Sequence, residues 1–163
     1  MGYKLVNAQS ETATTMPSFL DGIRHRRCLV TADGWYAWRT TLAGKMPMFM
    51  QYVGNSGKIE PFFFAGLWDS WRSKDQPAPH KNSDAVCIET FTILTRAACP
   101  NLRFVHDRMP VILPSTAYDA WLDCTITNEN TATEILSTAI VATFRCHPVS
   151  VMVTTQRTIP QRA

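Results

Sequence analysis

Arg27-Cys-Leu-Val-Thr-Ala-Asp-Gly-Trp-Tyr-Ala-Trp-Arg39 is the stretch on which the fold turns. After Arg27 its next five residues are apolar or β-branched, and Trp35 to Arg39 carries three large aromatic rings, so both ends favour extended chain. Asp33-Gly34 between them is a tight-turn signal. The same punctuation continues downstream with a break at Gly44, a run from Pro47 to Val53, the turn cluster Gly54-Asn-Ser-Gly57, and an aromatic run from Phe62 to Trp68. Ala85 to Thr95 is β-branched and aromatic and reads as a further strand. The polar stretch from Ser70 to Asp84, with Pro77 and Pro79, reads as a surface loop insertion.

Helical signals are fewer. Pro17 suits a first helical turn before Ser18 to Ile23, and Pro114 to Leu122 brings Ala117, Trp121 and Leu122 to an apolar side. Thr131 and Glu134 have the spacing of a capping box opening a helix over Thr131 to Ile140. Short strands joined by turns, with helices at a few junctions, predict an α+β fold around a curved, mostly antiparallel β-sheet.

The 163 residues suit a single domain, expected over 1–150 with a C-terminal tail at 151–163. With 45% hydrophobic and 18% charged residues the composition is that of a globular chain, and five Trp, eight Phe and four Tyr predict an aromatic-rich core. The net charge of +3 permits a polyanion partner without announcing one. Five cysteines, with no CxxC pair and no secretory leader, favour a reducing, cytoplasmic compartment. Apolar runs such as Pro61 to Trp68 are too short for a membrane span, and the sequence has no internal repeat.

Val105-His106-Asp107-Arg108-Met109-Pro110 is the strongest local oddity, with an imidazole, a carboxylate and a guanidinium packed before a proline stop. An imidazole moves protons near neutral pH, an adjacent Asp can orient it, and Arg offers a planar fork to phosphate or carboxylate. The alternative is a turn whose charges satisfy one another. With no CxxC, HxxxH or HExxH spacing, no metal site is expected. A thiolate–imidazole pair from Cys28 or Cys99 with His106 needs only proximity in space, although strand cysteines are usually inert. Trp35, Tyr36, Trp38, Trp68 and Trp71 could stack on unpaired bases, but core packing is their commoner use. Arg24-His-Arg-Arg27 reads more readily as a solvated helix end than as a backbone-tracking patch.

Asn7-Ala-Gln-Ser-Glu-Thr-Ala13, Arg27 to Trp38, Phe64-Ala-Gly-Leu-Trp68, Thr92-Ile-Leu-Thr95, His106-Asp-Arg-Met-Pro-Val-Ile-Leu-Pro114 and His147-Pro-Val-Ser150, taken in order, resemble the SOS response-associated peptidase (SRAP) family. The resemblance implies a barrel-like, largely β fold with flanking helices, needing no cofactor. It implies a sensor of abasic sites in single-stranded DNA during the DNA damage response, with peptidase- or lyase-type chemistry. In the family a cysteine exposed after removal of the initiator Met closes a thiazolidine on the aldehyde of the opened abasic sugar. An Asn positions that terminus, an Arg holds phosphate, a Glu shuttles protons, and the His of the His-Asp-Arg triplet assists proton transfer.

Carried over residue by residue, Asn7 matches the positioning Asn and His106 the catalytic His, while Arg108 and Thr95 match positions along the DNA. Gln9 stands where the family usually has the phosphate-holding Arg, and Ala37 where it usually has the Glu. The chain opens Met1-Gly2-Tyr3, so the family's N-terminal segment with its nucleophilic Cys is expected to be missing, and Gly2 offers an amine without a thiol. The expectation is a protein that has lost covalent crosslinking and keeps non-covalent binding to single-stranded DNA at abasic sites. The alternative is a truncated or mis-started form of an active crosslinking enzyme. An incomplete sheet would also favour self-association through an exposed edge. The expected location is the cytoplasm, at the nucleoid in a bacterium, with no membrane partner.

Overall fold

The computed structural model describes residues 6–54, 56–72, 87–140 and 143–154. Met1 to Leu5, most of the polar Ser70–Asp84 stretch and the end of the tail lie outside the described residues. The described residues gather into two compact units. The first comprises those within Met1–Thr31, Phe63–Arg96 and Pro110–Ile140, the second those within Ala32–Phe62, Ala97–Met109 and Val141–Ala163.

A five-stranded sheet carries the first unit. β1 (Asn7–Gln9) lies parallel to β6 (Cys87–Ala97), β6 lies antiparallel to β5 (Phe62–Arg72), and β5 is flanked by β2 (Arg27–Ala32). The chain re-enters this unit at Pro110, the end of a short strand β7 (Arg108–Pro110) that also pairs with β6. Side chains alternate across a strand, so Ala65 and Leu67 of β5 share a buried face with Leu94 of β6. Against them pack Phe19 and Ile23 from α2 (Pro17–His25), Trp121 from α3 (Tyr118–Leu122), and Ala132 and Leu136 from α4 (Glu129–Ser137). Gly22 lets α2 come close, because a Cβ there would stand 3.3 Å from Leu67. A four-residue helix, α1 (Ser10–Ala13), continues from β1 and buries Ala13.

Arg27 ties this unit together. It is 9% exposed, and its guanidinium donates to the carbonyls of Ile23 (2.6 Å), Trp121 (2.6 Å), Ile126 (2.8 Å), Arg24 (3.4 Å) and Asp123. These oxygens belong to the last turn of α2, the end of α3 and the segment that follows it, where a helix leaves carbonyls unsatisfied. The Trp121 indole N–H donates in turn to the Cys28 carbonyl at 2.9 Å, and the guanidinium lies 5.5 Å from the centre of the indole. Burial pushes the Arg27 pKa down from its ordinary value, opposed by the charge of Asp123. The basic run is therefore not one solvated helix end. Arg24 pairs with Glu129 and Arg26 with Asp21, but Arg27 is core.

The second unit is built on a three-stranded antiparallel sheet of β3 (Trp35–Thr41), β4 (Gly44–Tyr52) and β8 (Phe144–Pro148). β3 and β4 form a hairpin whose last pair is Thr41 with Gly44, and Gly44 takes φ +115°, a conformation that favours glycine. Trp35 packs edge-on against Phe144 (5.2 Å) and Phe62 (6.0 Å), and Tyr52 joins both rings over buried Met48 and Met50.

The α+β class expected from the sequence holds, with sheets that are mostly antiparallel. Three readings change. The strands fall in two sheets, and neither closes into a barrel, which requires an unbroken ring of pairing. Asp33-Gly34, expected as a tight turn, is a bend leading from β2 to β3, which belong to different sheets. Gly34 is needed for space instead, since a Cβ there would meet the Phe49 ring and stand 2.6 Å from the Met50 carbonyl oxygen. Helix α4 starts ahead of the Thr131–Glu134 box, capped by the Asn128 side chain, which accepts the Asn130 N–H at 2.8 Å and the Thr131 N–H at 3.4 Å.

Replacing Arg27 by Lys keeps the charge but cannot reach carbonyls on three segments at once. A hydrogen bond to a charged group is worth about 1.5–3 kcal/mol, so R27K is expected to lose about 3 kcal/mol or more, read as a lowered urea midpoint in circular dichroism.

Candidate functional site

Three of the sequence-selected residues meet in the first unit. The parallel pairing of β1 on β6 sets Asn7 beside Ile93, Ala8 beside Leu94 and Gln9 beside Thr95. With Ala8 buried, Asn7 and Gln9 share the opposite, exposed face. The Thr95 hydroxyl donates to the Ala8 carbonyl at 3.2 Å, which fixes its rotamer. This cluster offers an amide, an amide and a hydroxyl, and no charge. Such groups hydrogen-bond a phosphodiester or a sugar without the counterion release that a guanidinium brings.

The second unit holds the charged part. Between Ala98 and Met109 the chain makes a compact loop pinned by buried Leu102 and Val105. The Leu102 N–H donates to Cys99, the Val105 N–H to Leu102 (both 2.9 Å), and the Ala98 N–H to Asp107 across the base of the loop (2.8 Å). At its C-terminal end, next to the base, the loop presents His106 with half of its side chain exposed. The His106 Nδ1 accepts the Arg108 N–H at 2.9 Å and stands 2.9 Å from Asp107 Oδ1. One nitrogen cannot serve both partners in one protonation state. The neutral ring accepts from Arg108 through Nδ1, which leaves its proton on Nε2; the protonated ring donates from Nδ1 to the carboxylate. Each state has a partner ready, an arrangement suited to a group that takes up and gives back a proton.

Ala37 lies on β3 in the same unit, on the face shared by Trp35 and Arg39. The sequence reading passed over Arg39 and Phe104. The Arg39 guanidinium lies 5.4 Å from the centre of the Phe104 ring, so β3 touches the loop that carries His106. Their signal was positional, an Arg two residues beyond Ala37 on one strand face and an aromatic two residues before His106.

The other candidates separate from this chemistry. Of the aromatics considered for stacking, Trp35 is packed in the core of its unit, whereas Tyr36, Trp38, Trp68 and Trp71 are exposed. A cleft of about 390 Å³ in the first unit is lined by Cys28, Val30, Trp68, Glu89 and Phe91 among others. Burial pushes the Cys28 thiol up from its ordinary value, the opposite of what a nucleophile needs. The Cys99 thiol is buried and donates to the Asn101 carboxamide oxygen at 2.8 Å. Among the described residues no group of three or more His, Cys, Asp or Glu could hold a metal ion, and no helix is long and apolar enough to cross a membrane.

These environments predict the order of thiol labelling at neutral pH. Exposed Cys124 is expected to react first with a disulfide reagent, and half-buried Cys28 and Cys146 well after it. Burial also raises the Cys146 pKa. Native Cys28 and Cys146 therefore keep protons that the unfolded chain releases above the ordinary value of 9.0. Their contribution to stability is full below that pH and declines above it, which urea midpoints at about pH 8 and about pH 10 will show.

Comparison with known proteins gives the chain a family. The family model "SOS response associated peptidase (SRAP)" matches residues 1–156. Over 124 residues the chain is 35% identical to the abasic site processing protein YoaM of Bacillus subtilis, covering 76% of this chain and 49% of that protein. It is 32% identical over 148 residues to the abasic site processing protein YedK of Escherichia coli, covering 90% of this chain and 60% of that one. A solved structure from Bacteroides thetaiotaomicron superposes with a TM-score of 0.71 at 25% identity, covering 96% of this chain and 65% of that chain. The chain thus spans about half the length of the first of these relatives. On the match over nearly its whole length, the chain belongs to the SOS response associated peptidase (SRAP) family.

Proposed function

We propose that this chain binds single-stranded DNA at abasic sites, and that Ala37 leaves it without the proton shuttle needed for efficient covalent capture. The observation that carries the reading is the loop holding His106, whose Nδ1 is engaged by the Arg108 N–H and faced by Asp107. Relatives named as abasic site processing proteins supply the substrate class. The opened abasic sugar presents an aldehyde. When an amine nitrogen adds to that carbon, the oxygen takes up a proton, and a second protonation lets it leave as water while the C=N bond forms. An imidazole with its proton on Nε2 suits the role of donor in those steps. At position 37 a methyl group stands where the family usually has a carboxylate, and a general acid–base group typically contributes about 10²- to 10⁴-fold in rate. Gln9 keeps a hydrogen-bonding amide in place of a guanidinium. On this reading the chain works in the DNA damage response, in the cytoplasm, mainly as a non-covalent binder of the lesion.

The test incubates the full chain with a single-stranded oligonucleotide carrying one abasic site, with and without borohydride, and compares native with denaturing gels. The expected result is salt-sensitive binding, no band stable to denaturation without reductant, and a faint reductant-trapped band. Ala37→Glu should raise the trapping rate by about 10²-fold or more. No binding at low salt would overturn the substrate assignment. Rapid formation of a band that survives without reductant would overturn the loss of covalent capture and favour a truncated but active enzyme.

A further inference from the structure

We propose that Arg39, stacked on Phe104, is a phosphate-binding residue of the His106 site. The inference rests on the DNA-binding reading above and names a binding residue, Arg39, that neither the family match nor the sequence motifs assign. Arg39 leaves β3 on the face of Ala37, and its guanidinium lies over the Phe104 ring at 5.4 Å from the centre. Phe104 sits two residues before His106 in the loop pinned by Leu102 and Val105, and it remains 51% exposed. Among the described residues no carboxylate or carbonyl is bonded to the Arg39 guanidinium.

The stack does two things. A ring face holds the planar guanidinium in one orientation, so less freedom is lost when it binds, and it occupies none of the five N–H donors, which point outward in the plane of the fork. A fork of that shape matches two oxygens of a phosphodiester. Arg103, the neighbouring cation in the loop, is differently employed, with its Nε donating to the Ala98 carbonyl at 3.1 Å. With Gln9 uncharged, Arg39 supplies a permanent positive charge next to the loop that carries the imidazole. The ligand chemistry is a backbone phosphate of single-stranded DNA, so the contact should be indifferent to the base, or to the absence of one.

The test measures binding of the full chain to two fluorescent single-stranded oligonucleotides, one intact and one with a stable abasic analogue, over a range of salt. Each phosphate contact contributes about 0.7 to the slope of log K against log salt for a single strand. Arg39→Gln is expected to lower the magnitude of that slope by about 0.7 and to weaken both oligonucleotides equally. Arg39→Lys should keep the slope, and Phe104→Leu should weaken binding several-fold at unchanged slope, because each retains a charge but loses the stack. An unchanged slope and affinity in Arg39→Gln, with wild-type binding intact, would overturn the assignment of Arg39 alone. A wild-type chain that binds neither oligonucleotide at low salt would overturn the DNA reading itself. Circular dichroism melts matching wild type establish that the variants fold.

Discussion

One buried guanidinium organises the first unit. A helix end presents carbonyls that its own hydrogen-bonding pattern cannot use, and packing two such ends into a core would strand them away from water. Arg27 resolves this for α2, α3 and the segment after α3 together, because its planar fork reaches oxygens in several directions from one point. It also sets the start of β2, since it is that strand's first residue. The strand that leads toward β3 is thus anchored at the place where the helices are joined. Lys, with a compact ammonium on a flexible stem, has no equivalent geometry.

The chemistry of the second unit depends on a small loop rather than on the sheet. Leu102 and Val105 are apolar anchors that cover the loop's interior, and backbone hydrogen bonds close its base, so His106 is held by groups other than its own side chain. The imidazole then has a backbone donor for its neutral form and a carboxylate for its charged form. Ala37 and Arg39 lie two residues apart on one face of β3, and Arg39 reaches the loop through Phe104.

Much of this was legible in the sequence, for identifiable reasons. β2 was read with its observed ends, because Cys28 to Ala32 is apolar or β-branched and Asp33-Gly34 breaks the run, and α2 was placed by Pro17. The His106 triplet stood out because three polar functions rarely crowd between apolar residues. What escaped notice depends on contacts across the chain. A basic run looks solvated until three carbonyl-bearing segments converge on one of its members. Asp33-Gly34 looks like a tight turn until Phe49 is seen filling the space a side chain would need. Asn128 caps α4 because Thr131, although well spaced from Glu134, already lies inside the helix. Arg39 and Phe104 are 65 positions apart and carry no motif, so only the folded chain brings them together.

The outer side of β3 has a consequence for solubility. Among the described residues this seven-residue strand is bonded to β4 alone, which leaves a row of amide and carbonyl groups on the other side and exposes the rings of Tyr36 and Trp38. Such an edge is a template on which another strand can grow, and aromatic and β-branched content makes it a sticky one. The one charged side chain on it is Arg39. A cation at that point acts as a gatekeeper, because a second copy of the strand laid in register against the first would bring like charges together. The same side chain therefore bears on whether the protein stays dispersed when concentrated.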